Sequence, residues 1–200
     1  FQARSAPLEY CGIRGFLAAY KATTGELAWR FWTIPKVGET GTIADTWKGT
    51  ALKTGGGSTW LTGSFDIEAN ILYKQVGNPF PDTVGDDRLG RNLYTDCDLA
   101  MDPKTGKLLW YYQYTPHDVH DWDCDQPLVL VDTKWKGRNR KLLLHANRNG
   151  FLYVLDRTTG QPLLATRMVD KLTWASGINQ ETWTPDLLPG NEVTTEGVKT

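Results

Sequence analysis

Cysteine, histidine and methionine are scarce in this sequence, and neither sign of charge is in excess. The three cysteines, Cys11, Cys97 and Cys124, stand far apart. An odd number at such spacing makes neither a disulfide framework nor a thiolate zinc site. Lys and Arg number 22 against 23 acids, a formal net charge of −1. That balance gives no electrostatic footprint for nucleic acid or an anionic membrane surface. No apolar run approaches the roughly 20 residues of a membrane-spanning helix, no signal peptide is present, and no long helical period occurs. The chain opens on Phe1 rather than Met and runs to Lys199-Thr200 without a stop signal. It is therefore expected to be an interior piece of a longer protein, so the missing signal peptide says nothing about compartment.

What the sequence has in quantity is tryptophan, nine in 200 residues. So many imply a large aromatic core or a stacking surface. Two of them belong to a repeat. Ala19 to Trp29 and Ala100 to Trp110 share a Thr-Gly followed by Trp four residues after the glycine, and Val154 to Leu164 repeats the pattern with Leu164 in the Trp place. Each Thr-Gly predicts a tight turn, because glycine supplies the positive φ. The flanks read as strands: 15–20, 27–31, 142–146 and 150–155, with Ile71-Leu72-Tyr73 after a turn at 66–70. Short antiparallel strands with a repeated glycine turn and a docking Trp predict an all-β fold, a β-propeller, with several blades in this chain. The step between turns is 81 residues and then 54, against about 40–50 for a blade. The first step is therefore expected to hold insertions, at 33–58 and 78–92. The three or four blades form part of a single domain spanning 1–200, with no internal boundary.

Residues 115–125, Thr-Pro-His-Asp-Val-His-Asp-Trp-Asp-Cys-Asp, carry the chemistry. Asp118, Asp121, Asp123 and Asp125 repel one another unless a positive group lies among them. A hard cation would relieve that repulsion, since carboxylate oxygens are the ligands it prefers. A solvated acidic loop is the plain alternative, and the segment alone does not decide. His117 and His120 raise zinc as a further option.

Four blocks, in order and spacing, resemble the PQQ-dependent alcohol dehydrogenases, the quinoproteins that include methanol dehydrogenase. They are Gly12-Ile13-Arg14-Gly15-Phe16 running into Trp29-Arg30-Phe31; Gly55-Gly56-Gly57-Ser58-Thr59-Trp60; Gly77-Asn78-Pro79; and Thr115 to Asp123 followed by Asn147-Arg148-Asn149-Gly150-Phe151. Trp174-Ala175-Ser176-Gly177-Ile178 also looks like the family. The resemblance implies an eight-bladed propeller, PQQ, a metal ion, a small alcohol substrate, a cytochrome c acceptor (separate or fused) and a periplasmic setting. It implies Asp121 as general base, Trp60 under the quinone, Ser58 hydrogen-bonded to it and Arg148 beside it. Metal ligands would be Glu9, Asn78, Asp121 and Asp123. Each has an ordinary alternative: core Trp, turn Ser, turn Asn before proline, surface Arg. The glycine triplet is read as letting the backbone approach something flat.

Asp123 carries the choice of metal. In an extended segment Asp121 and Asp123 point to one side. With Glu9 they give three negative charges, which suits a lanthanide ion better than Ca²⁺; the resemblance implies the same, since lanthanide-type members have Asp at that position. The sequence also departs from the family. Glu9 is one residue out of register with the family's metal-binding Glu. Thr50 and Leu52 stand for Asp and Trp, Lys74-Gln75-Val76 for a small run, and Arg91 for Asp. Two other readings stay open: a non-catalytic propeller scaffold of the cell envelope, and a glycosidase using two acids of 118–125. The 200-residue piece alone is expected to be inactive.

Overall fold

A computed structural model describes residues 12–190. Glu9 and Cys11 lie outside the described residues. The elements are short strands: β1 (Ile13–Arg14), β2 (Phe16–Tyr20), β3 (Leu27–Trp32), β4 (Lys48–Gly49), β5 (Gly55–Gly56), β6 (Ser64–Asp66), β7 (Ile71–Val76) and β8 (Arg88–Leu89). There follow β9 (Cys97–Met101), β10 (Leu108–Gln113), β11 (Val129–Trp135), β12 (Arg138–Ala146), β13 (Phe151–Asp156), β14 (Pro162–Arg167), β15 (Ala175–Ile178) and β16 (Pro185–Leu187).

Two four-stranded antiparallel sheets, β6-β7-β9-β10 and β11-β12-β13-β14, are the complete blades. The hairpins β2–β3 and β15–β16 flank them. The β-propeller expectation holds, with two full sheets and two two-stranded hairpins among the described residues. The long first step has two insertions, one between β3 and β6 and one between β7 and β9. They pack on each other, Lys48 pairing with Leu89 and Gly49 with Arg88.

The repeated turns are built alike. Gly25, Gly106 and Gly160 have φ of 73°, 71° and 74°, the left-handed region that only glycine enters freely. Their N–H groups donate over 2.8 Å to the carbonyls of Lys21, Asp102 and Asp156 respectively. Each hairpin carries a register shift, and Trp29 and Trp110 reach the turn of the next sheet.

Between the two full sheets lies the main core, with Tyr73, Tyr114, Tyr153, Leu143, Leu155 and Trp174. Arg157 ties the sheets together. Its Nη2 lies 2.8 Å from Asp66 Oδ2 on β6, and its Nη1 pairs with Asp132 on β11. Tyr73 and Trp110 donate to its carbonyl. This frame holds four segments side by side: 55–60, 77–82, 116–126 and 147–149.

Candidate functional site

The glycine triplet enters the site first, and its close approach is to protein. A side chain on Gly55 would meet Ile13 O at 2.2 Å, one on Gly56 would meet Phe80 N at 2.6 Å, and one on Gly57 would meet Ile34 Cγ2 at 2.7 Å. All three are buried. The reading of this triplet as the face of a flat ligand is therefore corrected: it is a crossing of backbones, where any Cβ would collide. Its effect is to deliver Ser58 and Trp60. Ser58 O accepts from Gly77 N, and Gly57 N donates to Asn78 O, so this strand end is pinned to the Gly-Asn-Pro segment. Trp60 is 46% exposed, unusual for the largest apolar side chain and fitting for a stacking platform rather than a core Trp.

Asp121 and Asp123 do not lie in an extended segment. His117, Asp121 and Asp123 have φ of 55°, 60° and 48°, so the loop coils and strand alternation does not set their directions. They are neighbours all the same, since the charge of Asp123 opposes ionisation of Asp121. Trp60 and the Asn78 backbone lie close enough to favour the charged form of Asp123, and Arg148 Nη1 lies 3.3 Å from Asp123 Oδ2. Ser58 belongs to the same group: a Cβ on Gly77 would lie 2.7 Å from Asp123 Oδ1 and 3.3 Å from Ser58 Oγ. The structure thus brings together Ser58, Trp60, Asn78, Asp121, Asp123 and Arg148.

The acids of the loop relieve their mutual repulsion in different ways. Asp118 is fully buried and accepts from the N–H groups of His120 and Trp122, each at 2.8 Å; it shapes the loop, and burial pushes its carboxyl up to about 7. Asp125 is buried with both oxygens unpartnered, and burial followed by the charge of Asp123 raises it to about 8. Asp96, which the sequence did not single out, is equally unpartnered and raised well above the ordinary value by burial and then by Asp118. Asp121 is pushed up to about 6, by burial first and then by Asp123 and Asp82, with Arg148 opposing. Asp123 is raised by burial against the neighbours just named. Half-buried acids crowded in this way, with Arg148 as the cation beside them, fit a bound cation by their donor chemistry.

The two loop histidines diverge. His120 stacks on Trp122, centroids 5.1 Å apart, while His117 packs against Gly85. Among the described residues, the group of three His, Cys and acid ligand atoms that lies within 4.8 Å is Asp98, Cys124 and His145. Its capacity is used internally: Asp98 Oδ2 takes the Tyr114 hydroxyl at 2.7 Å and His145 Nδ1 at 3.0 Å.

Sequence reasoning missed two residues here. Gln126 Nε2 donates to Asp123 O at 2.6 Å, while its Oε1 accepts from Arg148 N at 3.3 Å and lies 3.1 Å from His145 Nε2. Asp82 Oδ1 accepts from Asn78 Nδ2 at 2.8 Å. An acid four residues after a candidate ligand Asn was the available signal for Asp82. Nothing local marks Gln126.

Comparison with known proteins fits this geometry. The profile of the PQQ family described as glucose/ethanol/alcohol dehydrogenase, β-propeller domain, matches residues 4–185. Quinohemoprotein alcohol dehydrogenase ADH IIB of Pseudomonas putida is 42% identical over 190 residues, 90% of this chain and 27% of that protein. The crystal structure of quinohemoprotein alcohol dehydrogenase from Comamonas testosteroni superposes with a TM-score of 0.86 at 36% identity, over 93% of this chain and 29% of that one. A europium-containing methanol dehydrogenase gives a TM-score of 0.81 at 34% identity, over 89% and 34%. The chain thus spans about a quarter to a third of the length of the relatives it matches.

Proposed function

This chain belongs to the PQQ-dependent glucose/ethanol/alcohol dehydrogenase β-propeller family, and from that premise we propose that the full-length protein oxidises an alcohol with Asp121 as general base. The observation that carries the reading is the gathering of Asp121 with Asp123, Ser58, Asn78, Trp60 and Arg148 in one cluster, in a chain whose relatives are named alcohol dehydrogenases.

PQQ, when bound, supplies the two-electron acceptor, and a metal ion beside it the Lewis acid. The rest is the work of this chain. Trp60 presents its exposed indole face as a floor, and Ser58 offers a hydroxyl at its edge. Asn78, Asp121 and Asp123 supply hard oxygen ligands, with Glu9 a further one. Asp121 takes the hydroxyl proton of the alcohol on its carboxylate. Arg148, half exposed and fixed against Asp123, places positive charge where negative charge develops. The charge of Asp123 added to Asp121 favours a lanthanide over Ca²⁺, and the likeness to a europium-containing enzyme supports that choice. Haem in the names of two relatives supports a cytochrome c acceptor. The periplasmic setting rests on the resemblance. A non-catalytic scaffold is not favoured, since the relatives are named dehydrogenases.

The test uses the full-length protein reconstituted with PQQ and either La³⁺ or Ca²⁺. Asp121→Asn is expected to retain PQQ and to lose about 10²–10⁴-fold in kcat in dye-linked alcohol oxidation. Asp123→Ala is expected to lose the preference for La³⁺. Normal kcat in Asp121→Asn places the base elsewhere, and better activity with Ca²⁺ in the unmodified protein removes the lanthanide assignment.

A further inference from the structure

An asparagine serves a cation only through its amide oxygen, because the nitrogen has no lone pair to give. Which end of the Asn78 amide faces the site depends on what the other end meets. Asn78 Nδ2 lies 2.8 Å from Asp82 Oδ1 and 3.2 Å from Pro79 O. Both neighbours accept and neither donates. Turning the amide over would set oxygen against oxygen at both contacts, in a side chain only 4% exposed, where an unmade polar contact is costly. The nitrogen is therefore committed to Asp82 and Pro79, and Oδ1 is the atom left for a ligand. The Asn78 backbone is fixed as well, its carbonyl accepting from Gly57 N at 2.9 Å.

Asp82 has a second effect. It lies close enough for its charge to oppose ionisation of both Asp121 and Asp123. It thus adds negative potential to the place where a cation would relieve all three.

We infer that Asp82 is a positioning residue for the metal ion, holding the Asn78 amide with its oxygen toward the ion and adding a third carboxylate to the field of Asp121 and Asp123. The inference rests on the reading of Asn78, Asp121 and Asp123 as ligands. Outer-sphere partners of this kind orient the ligands they touch, and their loss costs about 10–100-fold in metal affinity. The charge acts on a trivalent ion more strongly than on a divalent one, in proportion to ion charge. A third carboxylate among the described residues therefore favours a lanthanide whether or not Glu9 joins the site.

Two substitutions separate the two effects. Asp82→Asn keeps an oxygen to accept from Asn78 Nδ2 and removes the charge. Asp82→Ala removes both. The probe is Tb³⁺ binding to the full-length apoprotein, read by tryptophan-sensitised luminescence, with Ca²⁺ as competitor and circular dichroism to verify the fold. Asp82→Asn is expected to weaken Tb³⁺ more than Ca²⁺. Asp82→Ala is expected to weaken both ions, by about 10–100-fold for Tb³⁺. Unchanged affinity for both ions in a folded Asp82→Ala protein overturns this inference and leaves the metal reading standing. Absence of Tb³⁺ binding in the unmodified protein overturns the metal reading, and this inference with it.

Discussion

The indole of Trp110 covers the point where a side chain on Gly160 would project. A Cβ there would lie 2.6 Å from Trp110 Cε3, and Trp110 Nε1 donates to Arg157 O, three residues before that glycine, at 3.1 Å. Trp29 repeats the arrangement one sheet earlier, 2.5 Å from a Cβ on Gly106 and 2.9 Å from Pro103 O. The Thr-Gly-x-x-x-Trp repeat is therefore a lock between adjacent sheets. The glycine is needed twice, for its positive φ and for the space above it.

These two needs can be measured separately. Gly106 has φ of 71° and the Trp29 ring where a Cβ would project. Gly106→Ala is expected to cost the left-handed backbone penalty, roughly 1–2 kcal/mol, plus an overpacking cost of about 1–3 kcal/mol. In a Trp29→Ala background only the first of these should remain. Denaturant unfolding of the full-length protein compares the two backgrounds. Equal losses in both would mean that Trp29 gives way and the lock carries little stability.

Arg157 is the second tie between the sheets, buried with Asp66 and reaching Asp132. Arg157→Met leaves the Asp66 carboxylate buried without its cation, a situation that costs about 3–5 kcal/mol. The Asp66 carboxyl is held below its ordinary value by the Ala69 N–H and, against the effect of burial, by Arg157. A depressed carboxyl contributes stability that is present above the unfolded value of about 3.9. That contribution is lost as the pH falls through the folded value. Asp66→Asn should therefore flatten the acid limb of the stability profile below about pH 4 while lowering stability at pH 7. An unchanged acid limb would assign acid sensitivity to other carboxyls.

Trp60→Ala is expected to leave unfolding almost unchanged, because the ring is 46% exposed. PQQ affinity should fall by the stacking contribution of roughly 0.5–1.5 kcal/mol beyond area burial. Trp60→Phe restores a ring, so it should recover most of the PQQ affinity. Cofactor titration alongside thermal unfolding reads both. A lower melting temperature with unaltered PQQ affinity would make Trp60 a packing residue.

The sequence made the propeller legible because the lock is local. A glycine that must turn and a Trp at a fixed offset are both visible in one dimension. The site was legible where a residue type carries the chemistry, as with Asp121, Asp123 and Asn78. It was misread where backbone crossings decide. Three glycines look alike whether the space above them takes a ligand or, as here, Ile13, Ile34 and Phe80. It was also misread where φ decides, since left-handed Asp121 and Asp123 undo the alternation assumed for an extended segment. Asp82 escaped notice because its role depends on which end of another side chain it touches.

Gln126 is the strongest case of a role that only the fold reveals. One amide joins the two halves of the site, donating to the Asp123 carbonyl and accepting from the Arg148 N–H. Those two bonds fix its orientation, and His145 Nε2 lies 3.1 Å from the same Oε1. His145 in turn leans on Asp98 at 3.0 Å, and Asp98 on the Tyr114 hydroxyl. A buried relay thus holds one amide, and that amide holds the backbone of Asp123 and of Arg148. Gln126→Met keeps the volume and removes every bond. It leaves His145 Nε2 without that partner in a fully buried ring, at a cost of about 1–3 kcal/mol. Gln126→Glu keeps an oxygen for His145 and Arg148 but loses the donor to Asp123. Gln126→Met should therefore weaken Tb³⁺ and PQQ binding together, whereas Gln126→Glu should disturb the Asp123 side while sparing the Arg148 side. Both titrations on the full-length protein decide it. If Gln126→Met lowers stability and leaves both affinities intact, the relay serves the core alone and the two halves of the site are positioned independently.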